Sequence, residues 1–237
     1  GETMIYVTSD LHGCAPETLE ALLQKANFTK EDFLYVLGDV VDRGEDGVKL
    51  LLWLARQPNA QLILGNHESM LLSCLFLFDD VNEQSLLNLT MDKIKRMEHW
   101  KRNGADPTIK GLERLLRLSP DLFDGIIDYL YDAPLYEEIT VNGRDFVLVH
   151  SGINHFRPEK ALADYEVNDL IWCRPTLQDA YYPDRLTIFG HTPAQFLTPD
   201  SPNRAVKTDT WICVDTGVAC GGTPMLLRLD DLEEFYL

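Results

Sequence analysis

The sequence has little positive charge. Its 237 residues include 21 Lys and Arg against 38 Asp and Glu, which gives a formal net charge of −17 at pH 7. Proteins that bind nucleic acid do so mainly through Lys and Arg contacts to phosphates, and no Lys/Arg-rich run occurs here. The composition therefore argues against a nucleic-acid partner. An anionic ligand would need a strong local positive site to overcome the overall field.

Long hydrophobic runs and paired cysteines are also missing. No segment approaches the roughly 18 continuous apolar residues of a membrane span, and the N-terminus lacks a basic-then-apolar signal pattern. The five cysteines (Cys14, Cys74, Cys173, Cys213 and Cys220) form no CxxC pair, as is typical of reduced thiols rather than a disulfide framework. We therefore expect a cytoplasmic protein without membrane contact.

Short apolar or β-branched runs recur along the chain, and each includes or ends in a polar or glycine cluster. They occupy residues 4–10, 33–39, 62–66, 146–152, 186–191 and 212–217. Runs of this kind are typical of strands buried on both faces. Helix patterns at 16–26, with Pro16 near the first turn, and at 46–57 separate the first three runs. This alternation predicts a layered α/β fold.

The middle of the chain has a different pattern. Residues 67–133 look mostly helical with no convincing strand, which we interpret as a helical insertion of undetermined role. Residues 224–237 predict a closing hairpin pair. Because no repeat, low-complexity segment or linker-like stretch is evident, we expect a single domain over residues 1–237.

Potential metal ligands or catalytic groups follow every one of these runs except, in our interpretation, the last. In open α/β sheets the loops at the carboxyl ends of the strands converge on one rim, where ligands bind. Four of the six histidines in the chain fall at these strand ends. The positions are Asp10, His12, Asp39, Asp42, Asn66, His67, His150 and His191.

Mixed Asp, His and Asn ligands suit first-row divalent ions better than calcium, which prefers oxygen ligands throughout. A carboxylate can bridge two metals about 3.5–4 Å apart, and such pairs catalyse in-line displacement at phosphorus. An imidazole beside the metals could protonate the leaving oxygen. Arginine is well suited to the remaining phosphate oxygens, and Arg43 and Arg174 are the candidates.

Five motifs in order, "SDLHG", "GDVVDRG", "GNHE", "LVHSGI" and "FGHTP", resemble the calcineurin-like metallophosphoesterases. Within them the chain is similar to the phosphoprotein phosphatases, and "IWCRP" and "VDTGVACGG" resemble their small bacterial and phage serine/threonine branch. The matching segments run from about residue 5 to 222, nearly the whole chain. The resemblance implies an α/β sandwich of two mixed β-sheets flanked by helices.

The resemblance also implies a ligand set for two divalent ions. Asp10, His12 and His191 would hold the first metal, Asn66 and His150 the second, and Asp39 would bridge them. Mn²⁺ is the expected metal, with iron and zinc also compatible with these ligands.

The catalytic and substrate-binding roles follow from the same resemblance. His67 would be the general acid, oriented by Asp42, while Arg43 and Arg174 would hold the phosphate, with Asn66 and His67 also facing the substrate. The implied reaction is direct in-line attack of a metal-bound hydroxide on a phosphomonoester, without a phosphoenzyme. The expected substrate is a phosphorylated protein or peptide, or a small phosphoester, and the preferred reading is a serine/threonine protein phosphatase.

Two other functions stay open. Symmetrical diadenosine tetraphosphate hydrolases share the scaffold, and "VDTG" followed by "GGT" resembles them too. Glu68, which completes GNHE, and the arginine of "IWCRP" favour the protein phosphatase. A non-catalytic regulatory protein would have lost at least one ligand, and none is lost. The sequence leaves open the physiological substrate, Ser/Thr against Tyr preference and the oligomeric state.

Simpler explanations exist for individual residues. Asp39 and Asp42 could cap the helix that begins near residue 45, His150 could be a hydrogen-bonded core histidine, and His191 could be a turn residue. Arg43 could instead pair with a nearby carboxylate such as that of Glu45.

Three further positions carry weaker expectations. Ser9, which replaces the first glycine of the GDxHG motif, is expected to matter little because it is not a ligand. For His99 a structural role is expected. For Glu68 no role can be derived from the sequence, beyond a contribution to holding its loop.

Overall fold

Ten strands make up the sheets of the computed structural model, which describes residues 2–237. In chain order they are β1 Ile5–Thr8, β2 Phe33–Val36, β3 Ala60–Leu62, β4 Tyr136–Val141, β5 Arg144–Val149, β6 Leu186–Phe189, β7 Val206–Lys207, β8 Trp211–Cys213, β9 Leu226–Arg228 and β10 Glu233–Phe235. They form two five-stranded mixed sheets, ordered β10-β9-β1-β2-β3 and β4-β5-β6-β8-β7. The central strands of each sheet pair in parallel and the strands at one or both edges are antiparallel.

Nine helices accompany the strands among the described residues. They are α1 Pro16–Lys25, α2 Gly47–Arg56, α3 Asn66–Leu72, α4 Glu83–Leu87, α5 Met91–Arg102, α6 Asp106–Leu118, α7 Pro120–Asp132, α8 Val167–Ile171 and α9 Ala194–Leu197. A proline lies in the first turn of α1, α6 and α7, where its missing N–H costs no hydrogen bond. No helix of residues 2–237 is long and apolar enough to cross a bilayer.

The two sheets pack face to face around a layer of buried side chains. Val7, Leu37 and Leu227 from the first sheet and its loops meet Leu148 and Ile188 from the second, all fully buried. Burial of each such side chain contributes about 1.5–3 kcal/mol relative to exposure. Helices α1, α2 and α5 to α7 cover the outer face of the first sheet, and short helices and loops cover that of the second. This packing fixes both sheets and therefore the loops that leave them.

The predicted two-sheet α/β sandwich is confirmed, as are the first two helices, the helical segment within 67–133 and the closing hairpin of β9 and β10. The sequence interpretation missed β4, because its half-exposed "YEEITV" pattern is not an apolar run. It also placed the third strand too late. β3 ends at Leu62, and the next residues leave the sheet to reach the rim, with Leu64 N donating to Pro134 O over 2.9 Å.

Candidate metal centre

Loops at the carboxyl ends of the parallel strands meet at one rim, as predicted. Backbone hydrogen bonds join them: Asp10 N donates to Gly38 O (3.0 Å) and Gly190 N donates to His150 O (2.8 Å). The eight strand-end residues predicted from the sequence all lie at this rim or directly behind it, and all are buried. They are Asp10, His12, Asp39, Asp42, Asn66, His67, His150 and His191.

The Asp39 carboxylate lies at the centre of this cluster. Its Oδ2 is 3.2 Å from His150 Nε2, 3.8 Å from His12 Nε2 and 3.9 Å from His67 Nε2. Two sets of three side chains have ligand atoms within 4.8 Å of one another, namely His12, Asp39 and His67, and Asp39, His150 and His191. Because Asp39 belongs to both sets, it is placed to serve two cations at once.

Buried lone pairs without a partner indicate that the site is built for cations. Asp10 Oδ1 and His191 Nε2 are buried and have no hydrogen-bond partner among the described residues. The side-chain oxygen of Asn66 lies 2.8 Å from His150 Nε2, and rotation of the amide would bring its nitrogen within 2.8–3.3 Å of acceptor atoms of Asp39, His150 and His191, so the amide can pair with these groups or with a cation among them. Unpaired buried polar atoms are costly, and metal coordination removes that cost. The nitrogen and oxygen donors present fit first-row divalent ions.

The position of His191 differs from the one that the resemblance implied. Its ring centroid lies 5.1 Å from that of His150, and its ligand atom groups with those of Asp39 and His150. We therefore propose that His191 belongs with the second set of ligands rather than with Asp10 and His12. The reason is topological, since His150 and His191 follow the paired parallel strands β5 and β6 of one sheet.

The buried acids and histidines of the cluster shift the pKa values of one another. Burial alone would lower the pKa of His150, but the charge of Asp39 and their hydrogen bond raise it to about 10. Burial alone would also lower the pKa of His12, but Asp10 and Asp39 raise it to about 9. Burial and the neighbouring His150 lower the pKa of His191 to about 3. Cations bound at these nitrogens would replace protons.

Several rim residues have a backbone conformation that most side chains avoid. Ten non-glycine residues within residues 2–237 have positive φ, and six of them are candidate site residues. Such left-handed residues cost free energy and persist where the surrounding structure enforces them, often at functional sites. The six are Asp10 (54°), His12 (39°), Asp39 (56°), Asp42 (76°), Arg43 (75°) and His191 (68°).

The imidazole of His67 is held by Asp42. His67 Nδ1 lies 2.6 Å from Asp42 Oδ2, which orients Nε2 away from Asp42 and towards Asp39, 3.9 Å from its Oδ2. Neither Asp39 nor Asp42 caps the following helix, because the residue at the N-cap of α2 is Asp46. The helix-capping alternative is therefore wrong, and the Asp42–His67 pair stands in the arrangement that the resemblance implied.

Two buried residues of the helical segment hold Asp42 in turn. Trp100 Nε1 of α5 donates to Asp42 Oδ2 over 2.8 Å, and Thr108 Oγ1 of α6 donates to Asp42 Oδ1 over 2.7 Å. Sequence reasoning missed both residues, because they lie 58 and 66 positions from Asp42 and belong to no motif. They give the helical segment a direct connection to the candidate general acid.

Glu68 now has an identifiable role. Its fully buried carboxylate accepts hydrogen bonds from the backbone N–H groups of Asp39 (2.7 Å), Val40 (3.0 Å) and Gly65 (3.1 Å). Burial and the charge of Asp39 raise the pKa of Glu68 to about 7, while the backbone donors act in the opposite direction. At Gly65 a Cβ atom would lie 2.6 Å from the Asp39 backbone nitrogen, so only glycine fits. Glu68 thus fastens the loop after β2 to the start of α3.

Ser9 contacts a candidate metal ligand, although it is not a ligand itself. Its Oγ donates to Asp10 Oδ2 over 2.5 Å, and the backbone N–H of His191 donates to the same oxygen over 2.9 Å. These two donors fix one carboxylate oxygen of Asp10 and leave Oδ1 free of protein partners. We therefore propose that Ser9 positions Asp10, a role that the sequence did not indicate.

Arg43 and Arg174 line a cavity of about 230 Å³ together with His12, Asp39 and His67. Both arginines are exposed, and neither forms an ion pair within the described part of the chain. The proposed pairing of Arg43 with Glu45 is thus not observed. Two unpaired guanidinium groups beside a cation site are suited to bind phosphate oxygens.

Asp215 is a lining residue that sequence reasoning did not assign. It is buried in the wall of the same cavity, where its Oδ1 accepts from Gly217 N over 2.9 Å. Burial, followed by the charge of Asp10, raises the pKa of Asp215 well above its usual range. The signal was available, because Asp215 lies within the last apolar run at 212–217, which was judged to lack a candidate group.

Known proteins have sequences similar to that of this chain. A model of the calcineurin-like phosphoesterase family matches residues 3–219. A symmetrical bis(5'-nucleosyl)-tetraphosphatase of Buchnera aphidicola subsp. Baizongia pistaciae is 23% identical over 97% of this chain and 96% of its own length. A protein of the same name from Actinobacillus succinogenes is 32% identical, but over 63% of this chain and 44% of its own length. Several other proteins of this name match over less than half of their own length.

Solved structures show the same fold. A candidate diadenosine tetraphosphatase aligns over 98% of this chain and 91% of its own, with a TM-score of 0.61 and 18% identity. A protein serine/threonine phosphatase from Saccharomyces cerevisiae aligns over 100% and 80%, with a TM-score of 0.55 and 14% identity. A mutant cold-active protein tyrosine phosphatase aligns over 99% and 77%, with a TM-score of 0.54 and 20% identity. At these identities the likeness concerns the fold and not the substrate.

Proposed function

Because the chain belongs to the calcineurin-like phosphoesterase family, we propose that it is a metal-dependent hydrolase that splits dinucleoside tetraphosphates symmetrically. Diadenosine tetraphosphate would then give two molecules of ADP. The observation that supports this substrate is the similarity to the Buchnera tetraphosphatase over nearly the full length of both chains. The substrate preference inferred from the sequence is thereby reversed, since it placed the serine/threonine protein phosphatase first.

The ligand atoms divide into two sets that share one carboxylate. His67 also groups with His12 and Asp39, but its ring is held by Asp42, so we assign Asp10, His12 and Asp39 to one cation. Asp39, Asn66, His150 and His191 would hold the other. When bound, the two cations would neutralise phosphoryl oxygens and lower the pKa of a bound water, with Mn²⁺ as the proposed metal. Asp39 aligns the two sets, while Glu68 and Ser9 keep the Asp39 loop and Asp10 in place.

Arg43 and Arg174 supply local positive charge in a chain whose net charge is strongly negative. Their side chains reach the cavity from two separate loops and have no competing ion pair among residues 2–237. A guanidinium group offers two parallel N–H donors to a phosphate, which positions it as well as attracting it. We assign them to the phosphates on the two sides of the bond that breaks, where they would bind a polyphosphate against a net charge of −17.

His67 is placed to deliver a proton to the leaving oxygen. With Nδ1 held by Asp42, its Nε2 is the ring nitrogen that faces the rim. The demand for that proton depends on the leaving group. A terminal phosphate has a second pKa of about 6, so ADP leaves readily without full protonation, whereas the alkoxide of serine does not.

Serine/threonine protein phosphatase activity is a second candidate function, and the Asp42–His67 pair is the observation that supports it. A buried, hydrogen-bonded Asp42–His67 dyad is most useful where a poor leaving group such as an alkoxide must be protonated. In that case the reaction would be hydrolysis of a phosphomonoester in a phosphorylated protein or peptide.

A substrate panel with Mn²⁺ separates the two candidates. We expect purified protein to convert diadenosine tetraphosphate to ADP alone, with a kcat/KM orders of magnitude above those for a phosphoserine peptide and p-nitrophenyl phosphate. An Asp39→Asn variant purified in parallel reports any contaminating hydrolase. Formation of AMP and ATP, or faster turnover of the phosphopeptide, would contradict the proposed substrate.

A further inference from the structure

A second cavity adjoins the metal centre. It has a volume of about 400 Å³ and is lined by His99, Asn154, Asn168, Asp169 and Trp172. Trp172 lines both cavities, so the two are neighbours across one indole ring. We infer that this side cavity binds a purine base of the substrate, whose phosphates lie at the metal centre. This inference rests on the proposed function, because it assigns the nucleoside part of the same substrate.

Two aromatic rings form one wall of the side cavity. The ring of His99 on α5 lies 5.6 Å from that of Trp172, centroid to centroid, with a tilt of 32°. His99 is exposed and Trp172 is half-buried, so part of this aromatic surface faces solvent. Exposed aromatic surface is unfavourable in water, and stacking of a nucleobase covers it. In this proposal His99 has a binding role, whereas the sequence led us to expect a structural one.

Two free amides face the same space. The side chains of Asn154 and Asn168 are exposed and line the cavity, and neither has a hydrogen-bond partner within residues 2–237. An asparagine amide offers one donor and one acceptor group, which matches the N7 acceptor and N6 donor of adenine. By contrast, the carboxylate of Asp169 is already bonded to His155 Nδ1 (2.9 Å) and Glu166 N (3.3 Å). The amides are thus the groups available to recognise a base.

The charge of the lining argues against a phosphate in this cavity. None of its lining residues is Lys or Arg, and the chain as a whole is strongly negative. A neutral, planar and partly polar group avoids the electrostatic penalty that a phosphate would meet. The lining therefore selects for the base and leaves the phosphates to the arginine-lined cavity.

The distances suit a nucleoside diphosphate. The ring centroid of the candidate ligand His191 lies 5.9 Å from that of Trp172, and the Trp172 centroid lies 5.6 Å from that of His99. A ribose and two phosphates separate the base from the central bond of a dinucleoside tetraphosphate. An arm of that length can place its base against Trp172 and His99 while the central bond lies beside His191.

The first test uses His99→Ala, Asn168→Ala and Trp172→Leu. For each variant we measure the ratio of kcat/KM for diadenosine tetraphosphate to that for p-nitrophenyl phosphate, which has no base. Loss of base stacking should lower this ratio about tenfold for His99→Ala and Trp172→Leu. Tyr131→Ala, which removes an exposed ring of α7 outside both cavities, is the matched control and should leave the ratio unchanged.

The second test needs no phosphate, metal or turnover. Saturation-transfer NMR of metal-free protein with adenosine should show transfer to the adenine H2 and H8 protons, and His99→Ala should abolish it. Turnover of diadenosine tetraphosphate with an unchanged ratio and unchanged NMR signals in all three variants would overturn the base site and leave the proposed function standing. If the wild-type protein does not turn over the dinucleotide, the proposed function fails, and loss of the adenosine signal in His99→Ala alone decides whether the cavity binds a base.

Discussion

The rim of strand-end loops and the helical segment between β3 and β4 differ in almost every physical property. The rim is buried, has many left-handed backbone residues, and brings acids and histidines within 4 Å of one another. The helical segment leaves large apolar side chains in solvent, including Val81, Leu86 and Leu87 on and before α4. Rigid sheets therefore hold the chemically active groups, while the outer part of the helical segment is free of such constraints.

The inner face of the helical segment, unlike its outer face, makes hydrogen bonds to residues of the rim. Through Trp100 and Thr108 it holds Asp42, and Gly104 O accepts from Arg43 N over 2.9 Å. No residue of α5 to α7 is a predicted metal ligand, so apart from the proposed base contact of His99 these helices affect the chemistry through other residues. We therefore expect the loss of activity caused by a substitution to decrease from Asp39, at the centre of the rim, to the exposed face of α4.

Replacement of Asp39 with asparagine should have the largest effect. The variant weakens both ligand sets, because Asp39 is the residue that they share. We expect loss of activity to assay background together with loss of both cations, measured by inductively coupled plasma mass spectrometry. Asp46→Asn, in the same loop but outside the cluster, is the control and should keep both metals. Retention of two tightly bound ions in Asp39→Asn would contradict the shared-ligand assignment.

His67→Asn should come next, and its effect should depend on the substrate. Loss of a general acid typically costs about 10²- to 10⁴-fold in rate. We expect the full loss on a phosphoserine peptide and a smaller one on diadenosine tetraphosphate, because ADP is the better leaving group. Steady-state kinetics on both substrates, with metal content checked, measure this difference. An equal loss on both, at normal metal content, would show that His67 is not the proton donor.

Metal binding should be strongly pH-dependent through the rim histidines. In the metal-free protein the pKa values of His12 and His150 are raised to about 9 and about 10, so both rings are protonated at pH 7. A metal needs the neutral ring, so binding releases one proton from each of these two histidines, which alone lowers the affinity for the metal pair about 100-fold per unit decrease in pH. Calorimetry of Mn²⁺ binding in buffers of different ionisation enthalpy counts these protons. His155→Gln, outside the rim, should not change the count.

Trp100→Phe and Thr108→Val should show smaller losses of about 10- to 100-fold, the usual range for residues that orient an active group through a hydrogen bond. Both act through Asp42, so their losses should follow the pattern of His67→Asn and be greater on the phosphoserine peptide. Trp53→Phe on α2 is the control. If the losses are equal on all substrates and track a lower melting temperature, the two residues only support the fold.

The smallest effect belongs to the outer face of the helical segment. Leu87 on α4 is 77% exposed, and exposed substitutions usually change stability by less than about 0.5 kcal/mol. Leu87→Gln should therefore leave the free energy of unfolding and the kcat/KM within error of wild type, as measured by urea denaturation and steady-state kinetics. A clear loss of activity would show that the expected decrease does not hold.

Much of this arrangement follows from local sequence. Apolar runs that end in Asp, His or Asn predict both the parallel strands and the residues at their carboxyl ends, because the alternation of runs and helices determines which ends meet. The edge strand β4 was missed because its pattern is half-polar, and Asp215 because it lies within an apolar run rather than in the motifs at the other strand ends.

The remaining features depend on contacts between distant parts of the chain. Trp100, Thr108 and Glu68 act through hydrogen bonds to partners 28 to 66 residues away, and no local pattern specifies such a partner. The grouping of His191 with His150 likewise depends on how the strands of the second sheet are ordered. The left-handed backbone at Asp39 and Asp42 is imposed by the folded rim, and single-residue propensities disfavour it.

The central claim is that one rim binds two cations that share Asp39. Anomalous diffraction at the manganese edge, on crystals of the protein grown with Mn²⁺, tests it most directly. The account predicts two peaks about 3.5–4 Å apart with the Asp39 carboxylate between them, and with His150 and His191 on the same ion. A single peak, or two peaks that Asp39 does not join, would contradict it.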